Sequence, residues 1–244
     1  MPLLFHSLLP RVLHALLPSS CVLCGSLGEQ AVCPACTQAH ARDLHTRCPC
    51  CANPVGTADG ARRCGACLAE RPAFDATVAA CDYGAPVDRL VLQLKFASRL
   101  ALAPWMAGRL RDAVRARSAD LPELLCPVPL GPRRLVERGY NQALEVARPL
   151  AGALRVAVAP RLLQRVRETP AQSNAAPGER KKNVRGAFGV DAAGDLRGRH
   201  VGVVDDVMSS GHTLDEVAAV LKRAGAARIT NFVFARTPPH ACMN

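Results

Sequence analysis

The chain has 244 residues, 49% hydrophobic and 21% charged, enough for a substantial core plus a small extra module, and a balance that excludes disorder as the default state. Its formal net charge of +11 comes from 31 Lys and Arg against 20 Asp and Glu, with Arg supplying nearly all the positive charge, which favours an anionic ligand held by bidentate pairs. Aromatic residues reach only 4%, too few for the stacking platforms of single-strand nucleic-acid binders.

Residues 1–20, MPLLFHSLLPRVLHALLPSS, carry doubled apolar positions four residues apart. They predict short amphipathic helical turns, broken at Pro10, that dock on the rest of the protein. His6, Pro10, Arg11 and His14 interrupt the apolar run and no basic segment precedes it. Neither an export signal nor stable membrane insertion is expected, and the expected location is cytoplasmic.

Residues 21–72 hold four C-x-x-C pairs: Cys21 and Cys24, Cys33 and Cys36, Cys48 and Cys51, Cys64 and Cys67. Without a secretory signal, paired thiolates at this spacing read as ligands of tetrahedral zinc rather than as disulfides. In chain order the first four and the last four make two structural sites, though an interleaved pairing satisfies the same spacing. Cys50 competes with its neighbours in CPCCANP, and Cys48 with Cys51 keeps the two-residue gap. Gly25 and Gly65, beside two of the pairs, are expected to relax the tight turns. So small a module has little apolar core, and metal binding is expected to supply its folding free energy.

From residue 73 to 244 the pattern changes. Apolar runs at 76–83, 123–130, 201–206 and 228–235 alternate with helical patterns at 86–96, 102–117, 141–154 and 213–226. This alternation predicts an α/β domain with a largely parallel sheet, whose ligands bind beyond the carboxyl ends of the strands. Residues 127–186 carry twelve basic side chains against four acidic ones, concentrating the positive charge in one stretch.

The segment VGVVDDVMSSGHTL, residues 201–214, places Asp205 and Asp206 at a strand end, immediately before a Ser-Ser-Gly-His-Thr turn into a helix. Amides and hydroxyls at a helix N-terminus hold phosphate, and adjacent carboxylates accept hydrogen bonds from vicinal hydroxyls. A ribose 5-phosphate uses both, and the acid pair also attracts the Mg²⁺ that accompanies a pyrophosphate. Neither G-x-x-x-x-G-K-[ST] nor G-x-G-x-x-G occurs in the chain, so the commoner phosphate loops are excluded.

This segment resembles the 5-phosphoribosyl-1-diphosphate (PRPP) motif of type I phosphoribosyltransferases. CPVPLGPRRLVERGYNQALEVARPLA, RETPAQSNAAPGERKKNVRGAF, LVLQLKFASR and the four cysteine pairs are together similar to the ComF (competence protein F) family over nearly the whole chain. The resemblance implies a type I phosphoribosyltransferase fold, a parallel sheet flanked by helices and carrying a hood, behind a double zinc ribbon. It assigns Asp205 and Asp206 to the ribose hydroxyls, and Ser209, Ser210, Gly211, His212 and Thr213 to the 5-phosphate. His212 departs from the small residue usual in the family. The resemblance also implies a pyrophosphate side at Pro129, Leu130, Arg133, Arg134 and Arg138, and hood residues Arg180, Lys181 and Asn183.

Three functions stay open on this reading. The first is phosphoribosyl transfer from Mg-PRPP to an unidentified acceptor, and the second is non-catalytic sensing of PRPP or a nucleotide. The third is a DNA-uptake accessory role with single-stranded DNA and competence or DNA-processing proteins as partners. Acceptor and oligomeric state are not legible in the sequence.

Overall fold

The computed structural model describes residues 19–43, 45–57, 62–117, 120–167, 184–191 and 195–238. The cysteine-rich region forms two knuckles in series. In the first, β1 (Ser19–Ser20) pairs antiparallel with β2 (Leu27–Gly28), and α1 (Pro34–His40) follows. In the second, a bridge joins Arg47 to Pro54 before α2 (Gly65–Ala69). The residue after the first C-x-x-C of each knuckle has left-handed backbone, Gly25 at φ 75° and Ala52 at φ 56°. Gly65 has no such role: it opens α2, where any residue fits. The strained position of the second knuckle is therefore Ala52, which a search for glycines overlooks.

The larger unit is built on a five-stranded parallel sheet, from β3 (Ala76–Asp82), β4 (Leu124–Pro127), β5 (Ala157–Val158), β8 (His200–Met208) and β9 (Arg228–Arg236). Strand order is β3-β9-β8-β4-β5, so the acid-bearing strand β8 lies at the centre. Helices α3 (Val87–Phe96), α4 (Leu102–Ala116) and α6 (Gln142–Leu154) contribute Leu90, Met106 and Leu150 to one core, with Val204 and Phe232 from the sheet. Helix α7 (His212–Arg223) packs with Val201, Val203 and Val233 in a second core on the opposite face. Both faces of the sheet are covered, so both parities of each strand are mostly apolar, which explains the near-continuous apolar runs. Each fully buried Leu or Phe contributes about 1.5–3 kcal/mol.

Gly202 marks how tightly the centre is packed. A Cβ there would sit 2.4 Å from Leu125 Cδ2, 2.8 Å from Pro122 Cγ and 2.9 Å from Phe232 Cε2, so only glycine lets these side chains cross the strand.

Three elements escape the sequence pattern: the short helix α5 (Pro132–Arg138), the two-residue β5, and an antiparallel hairpin of β6 (Leu163–Arg165) and β7 (Phe188–Val190). Helix α5 buries no residue completely, which removes the periodic signal. Its end is nevertheless written in RGYNQ. Gly139 ends α5 in the left-handed conformation, and the Asn141 carboxamide oxygen caps α6 by accepting from Ala143 N–H at 2.9 Å. The same carboxamide donates to Val128 O at 3.0 Å, which ties this hinge to the loop beyond β4. Among the described residues no helix is long and apolar enough to cross a membrane.

Candidate functional site

Two thiolate clusters and one cleft carry the chemistry. Cys21, Cys24, Cys33 and Cys36 form one cluster, and Cys48, Cys51, Cys64 and Cys67 the other, each with its sulfurs within 4.8 Å of one another. The pairing is serial, and Cys50 stands outside it, its thiol 3.9 Å from Phe74 O. Sulfurs of different pairs lie 3.7 Å apart at Cys24 and Cys33 and 3.5 Å apart at Cys51 and Cys64. A zinc tetrahedron with Zn–S near 2.3 Å has edges of about 3.8 Å, so the clusters fit the ion.

Backbone amides prepare the thiolates. Cys33 N–H points at Cys21 Sγ (3.4 Å), Cys36 N–H at Cys33 Sγ (3.4 Å) and Cys64 N–H at Cys48 Sγ (3.3 Å). Burial pushes the Cys21 thiol up, but the N–H groups of Cys33, Cys24 and Leu23, with the Cys24 side chain, outweigh it and bring it down to about 6. Cys81 and Cys126, by contrast, lie outside both clusters, and burial pushes each up to about 12.

The cleft opens at the carboxyl ends of β4 and β8, with a volume of about 380 Å³. Asp205, Asp206 and all of Ser209–Thr213 line it, facing Pro129, Leu130, Arg134 and Arg165. Strand β8 runs two residues past the acid pair, because Val207 and Met208 still pair with Ala235 and Arg236 of β9.

The two carboxylates line one cleft but differ in their partners. Asp206 is buried, 2% exposed, and its Oδ2 meets Lys95 Nζ of α3 at 2.6 Å. Burial alone would lower the Lys95 ammonium, yet Asp206 outweighs it and the net shift is upward. Asp205 forms no ion pair among the described residues; its Oδ1 accepts the Asp206 N–H at 2.9 Å. Burial, then the adjacent Asp206 charge, push the Asp205 carboxyl well above its ordinary range.

Gly211, at φ 85°, turns the loop into α7. His212 Nδ1 lies 3.1 Å from Ser210 Oγ, so the imidazole is held along the loop it belongs to.

Models of known families match both halves: a double zinc ribbon domain at residues 12–68 and a phosphoribosyl transferase domain at residues 140–240. A protein of Salmonella typhi named DNA utilization protein YhgH is 34% identical over 227 residues, covering 90% of this chain and 98% of that relative. Competence protein F of Haemophilus influenzae is 32% identical over 181 residues, covering 72% and 79%. The chain belongs to the competence protein F family. Among solved structures, a glutamine PRPP amidotransferase from B. subtilis, complexed with ADP and GMP, aligns at 20% identity with a TM-score of 0.36. That alignment spans 54% of this chain and 26% of the other.

Within this competence protein F chain the residues expected at a pyrophosphate side divide. Pro129, Leu130 and Arg134 line the cleft. Arg133 is exposed on α5 and pairs with Glu137 at 2.8 Å, while Arg138 bonds Gln142 and lies 5.1 Å over the Phe96 ring. Arg180, Lys181 and Asn183 lie outside the described residues. The structure adds Tyr83, Lys95, Gln142 and Arg165 to the cleft lining. Lys95 had a readable signal: four residues after the buried Val91, it is a charge at the edge of the apolar stripe of α3.

Proposed function

We propose that the cleft binds Mg-PRPP and that the chain transfers its phosphoribosyl group to a nitrogen acceptor. The observation that carries this reading is one cleft lined by the acid pair, a five-residue loop at a helix N-terminus, and Arg134 and Arg165. Its volume suits a phosphorylated sugar. In this reading the loop amides and the N-terminus of α7 hold the 5-phosphate. Asp205, and Asp206 beside Lys95, accept from the ribose hydroxyls and orient the ring rather than attack it. Displacement at the anomeric carbon builds positive charge on the ribose and negative charge on the departing pyrophosphate. Arg134 and Arg165 are the side chains that stabilise the latter. Mg²⁺ arrives with PRPP and, when bound, offsets pyrophosphate charge; carboxylate oxygens such as those of Asp205 are the hard donors it prefers.

Calorimetric titration with Mg-PRPP tests this. The wild type is expected to bind, and Asp205→Asn to lose affinity by about tenfold or more, the scale of one charge-assisted contact. Asp206→Asn is the poorer probe, since it strands the Lys95 ammonium against a buried amide. A wild type that takes up no Mg-PRPP overturns the reading.

A DNA-processing role is the second reading. The names of the two relatives support it, as do exposed Arg133, Arg148, Arg161 and Arg167 in the basic stretch. Single-stranded DNA affinity that falls steeply with salt and survives Asp205→Asn would favour it.

A further inference from the structure

Arg236 ends β9, and its guanidinium donates through Nε and Nη1 to four backbone carbonyls. Nε donates to Cys51 O at 2.9 Å; Nη1 donates to Met208 O at 3.0 Å, Thr237 O at 2.6 Å, and Ser209 O. The side chain is 5% exposed. One end of a rigid, planar cation thus holds the backbone of a ligand of the second thiolate cluster, and the other end holds the entrance to the phosphate loop.

The consequence for the loop follows from peptide geometry. In a trans peptide the carbonyl and the next N–H point in opposite directions. Drawing Met208 O and Ser209 O toward Arg236 turns the N–H groups of Ser209 and Ser210 away from it, and these two residues line the cleft. The guanidinium also sets a full positive charge directly behind the loop, unmatched by any carboxylate ion pair among the described residues.

The consequence for the knuckle runs the other way. Cys51 is followed by Ala52 in left-handed backbone, with Ala52 N–H bonded to Cys48 O at 2.9 Å. Four sulfurs gathered on one ion fix that turn, and with it the Cys51 carbonyl that receives Arg236. The first knuckle faces the other core, and its Thr37 meets Trp105 of α4 rather than the loop.

We propose that Arg236 is a positioning residue that couples the Cys48, Cys51, Cys64 and Cys67 site to the phosphate loop, so that zinc there and anion in the cleft favour each other. The proposal rests on the reading of the cleft as a PRPP site. A reciprocal free energy links two such sites, so the ligand must protect the metal as much as the metal sharpens the ligand site.

The test is loss of zinc from the full-length protein to a chromogenic chelator, with and without Mg-PRPP. Alkylation of the released thiols followed by mass spectrometry tells the two knuckles apart. Mg-PRPP is expected to slow loss at Cys48, Cys51, Cys64 and Cys67 by about fivefold or more and to leave the first knuckle unchanged, which also controls for chelation by PRPP itself. Arg236→Lys keeps the charge but not the planar fork. It is expected to retain both zinc ions, to bind Mg-PRPP about tenfold more weakly, and to abolish the protection. An arginine of merely structural importance would lower the melting temperature and leave the protection intact. Equal zinc loss with and without bound Mg-PRPP in the wild type overturns the coupling while sparing the proposed function. No binding of Mg-PRPP by the wild type overturns both. If Arg236→Lys fails to fold, the wild-type measurement alone decides.

Discussion

The first knuckle reaches the core under α3, α4 and α6 through Cys21 and Val32, and its Thr37 hydroxyl accepts the Trp105 indole proton at 3.1 Å. The second reaches the opposite core through Cys48, Cys51 and Cys67, and its backbone meets β3 where Thr77 N–H donates to Pro49 O at 3.3 Å. Between them, Arg47 pairs with Asp43 and Asp82, each at 2.8 Å, and Arg117 of the α4 end pairs with Asp43 at 2.7 Å. Identical ligand sets therefore brace the two faces of one sheet. The acid pair divides by partner, Asp206 held by Lys95 of α3 and Asp205 by the Asp206 backbone N–H. What differs is the link to the cleft: Arg236 bonds the second knuckle to the phosphate loop, and among the described residues no such bond joins the first.

Removing a ligand from each knuckle breaks the comparison most severely. Cys21→Ser and Cys48→Ser are each expected to lose one of two zinc equivalents by metal analysis, and with it much of the roughly 10–16 kcal/mol that structural zinc supplies to small modules. Where the variants remain folded, Cys48→Ser alone is expected to lose Mg-PRPP affinity. Loss of binding in both would mean that the knuckles act through general stability.

Gly202→Ala separates the faces without touching a metal ligand. The new methyl projects among Leu125, Pro122 and Phe232 on the first-knuckle face, and overpacking of this kind costs about 1–3 kcal/mol. Chemical denaturation is expected to register that loss, while Mg-PRPP affinity at native temperature stays within about twofold, the scatter expected of distant sites.

Much of this arrangement was legible in the sequence. The four C-x-x-C pairs, the four main strands and the acid pair with its loop can all be read from spacing and period, because each repeats a local rule. Arg236 was not legible, since a charge closing the apolar run RITNFVFAR reads as a solvated strand end until the fold brings Cys51 and Met208 to it. Arg133 and Arg138 illustrate the converse. They follow the β4 loop closely in sequence, but one turn of α5 directs Arg133 to Glu137 and Arg138 to Phe96. Gly65 and Ala52 make the same point on a smaller scale, composition naming the glycine and geometry choosing the alanine.

The split acid pair makes stability depend on pH in a defined direction. Asp205 has a raised folded-state value, so its contribution to stability is fully present below the ordinary aspartate range and is lost as pH rises through the raised value. Asp205→Asn is therefore expected to melt above the wild type at neutral pH, by a margin that shrinks to nothing as pH falls toward 4. A margin independent of pH would mean that folding leaves the titration of this carboxyl unperturbed.

Trp105→Phe should loosen only the first knuckle. It keeps the apolar packing but deletes the indole donor to Thr37, a loss of about 0.5–1.5 kcal/mol, expected as faster zinc release at Cys21, Cys24, Cys33 and Cys36 with unchanged Mg-PRPP affinity.

The finest distinction lies in the turn that follows each knuckle's first cysteine pair, where Gly25 and Ala52 occupy the same left-handed conformation. For Ala this backbone costs about 1–2 kcal/mol relative to Gly, partly offset by the greater freedom Gly regains in the unfolded chain, about 0.4–1 kcal/mol. Ala52 is also fully buried, so replacing its methyl leaves a small void. The three effects nearly cancel, and Ala52→Gly is expected to change stability by less than about 1 kcal/mol in thermal denaturation. Gly25→Ala shares the unfolded-chain offset but lacks the packing gain, since no atom lies within 4 Å of the new methyl, so the turn strains with less compensation. The pair therefore measures what the second knuckle gains from a buried methyl at a position where the first requires glycine. Equal and large losses in both would show that the turns differ in more than that one side chain.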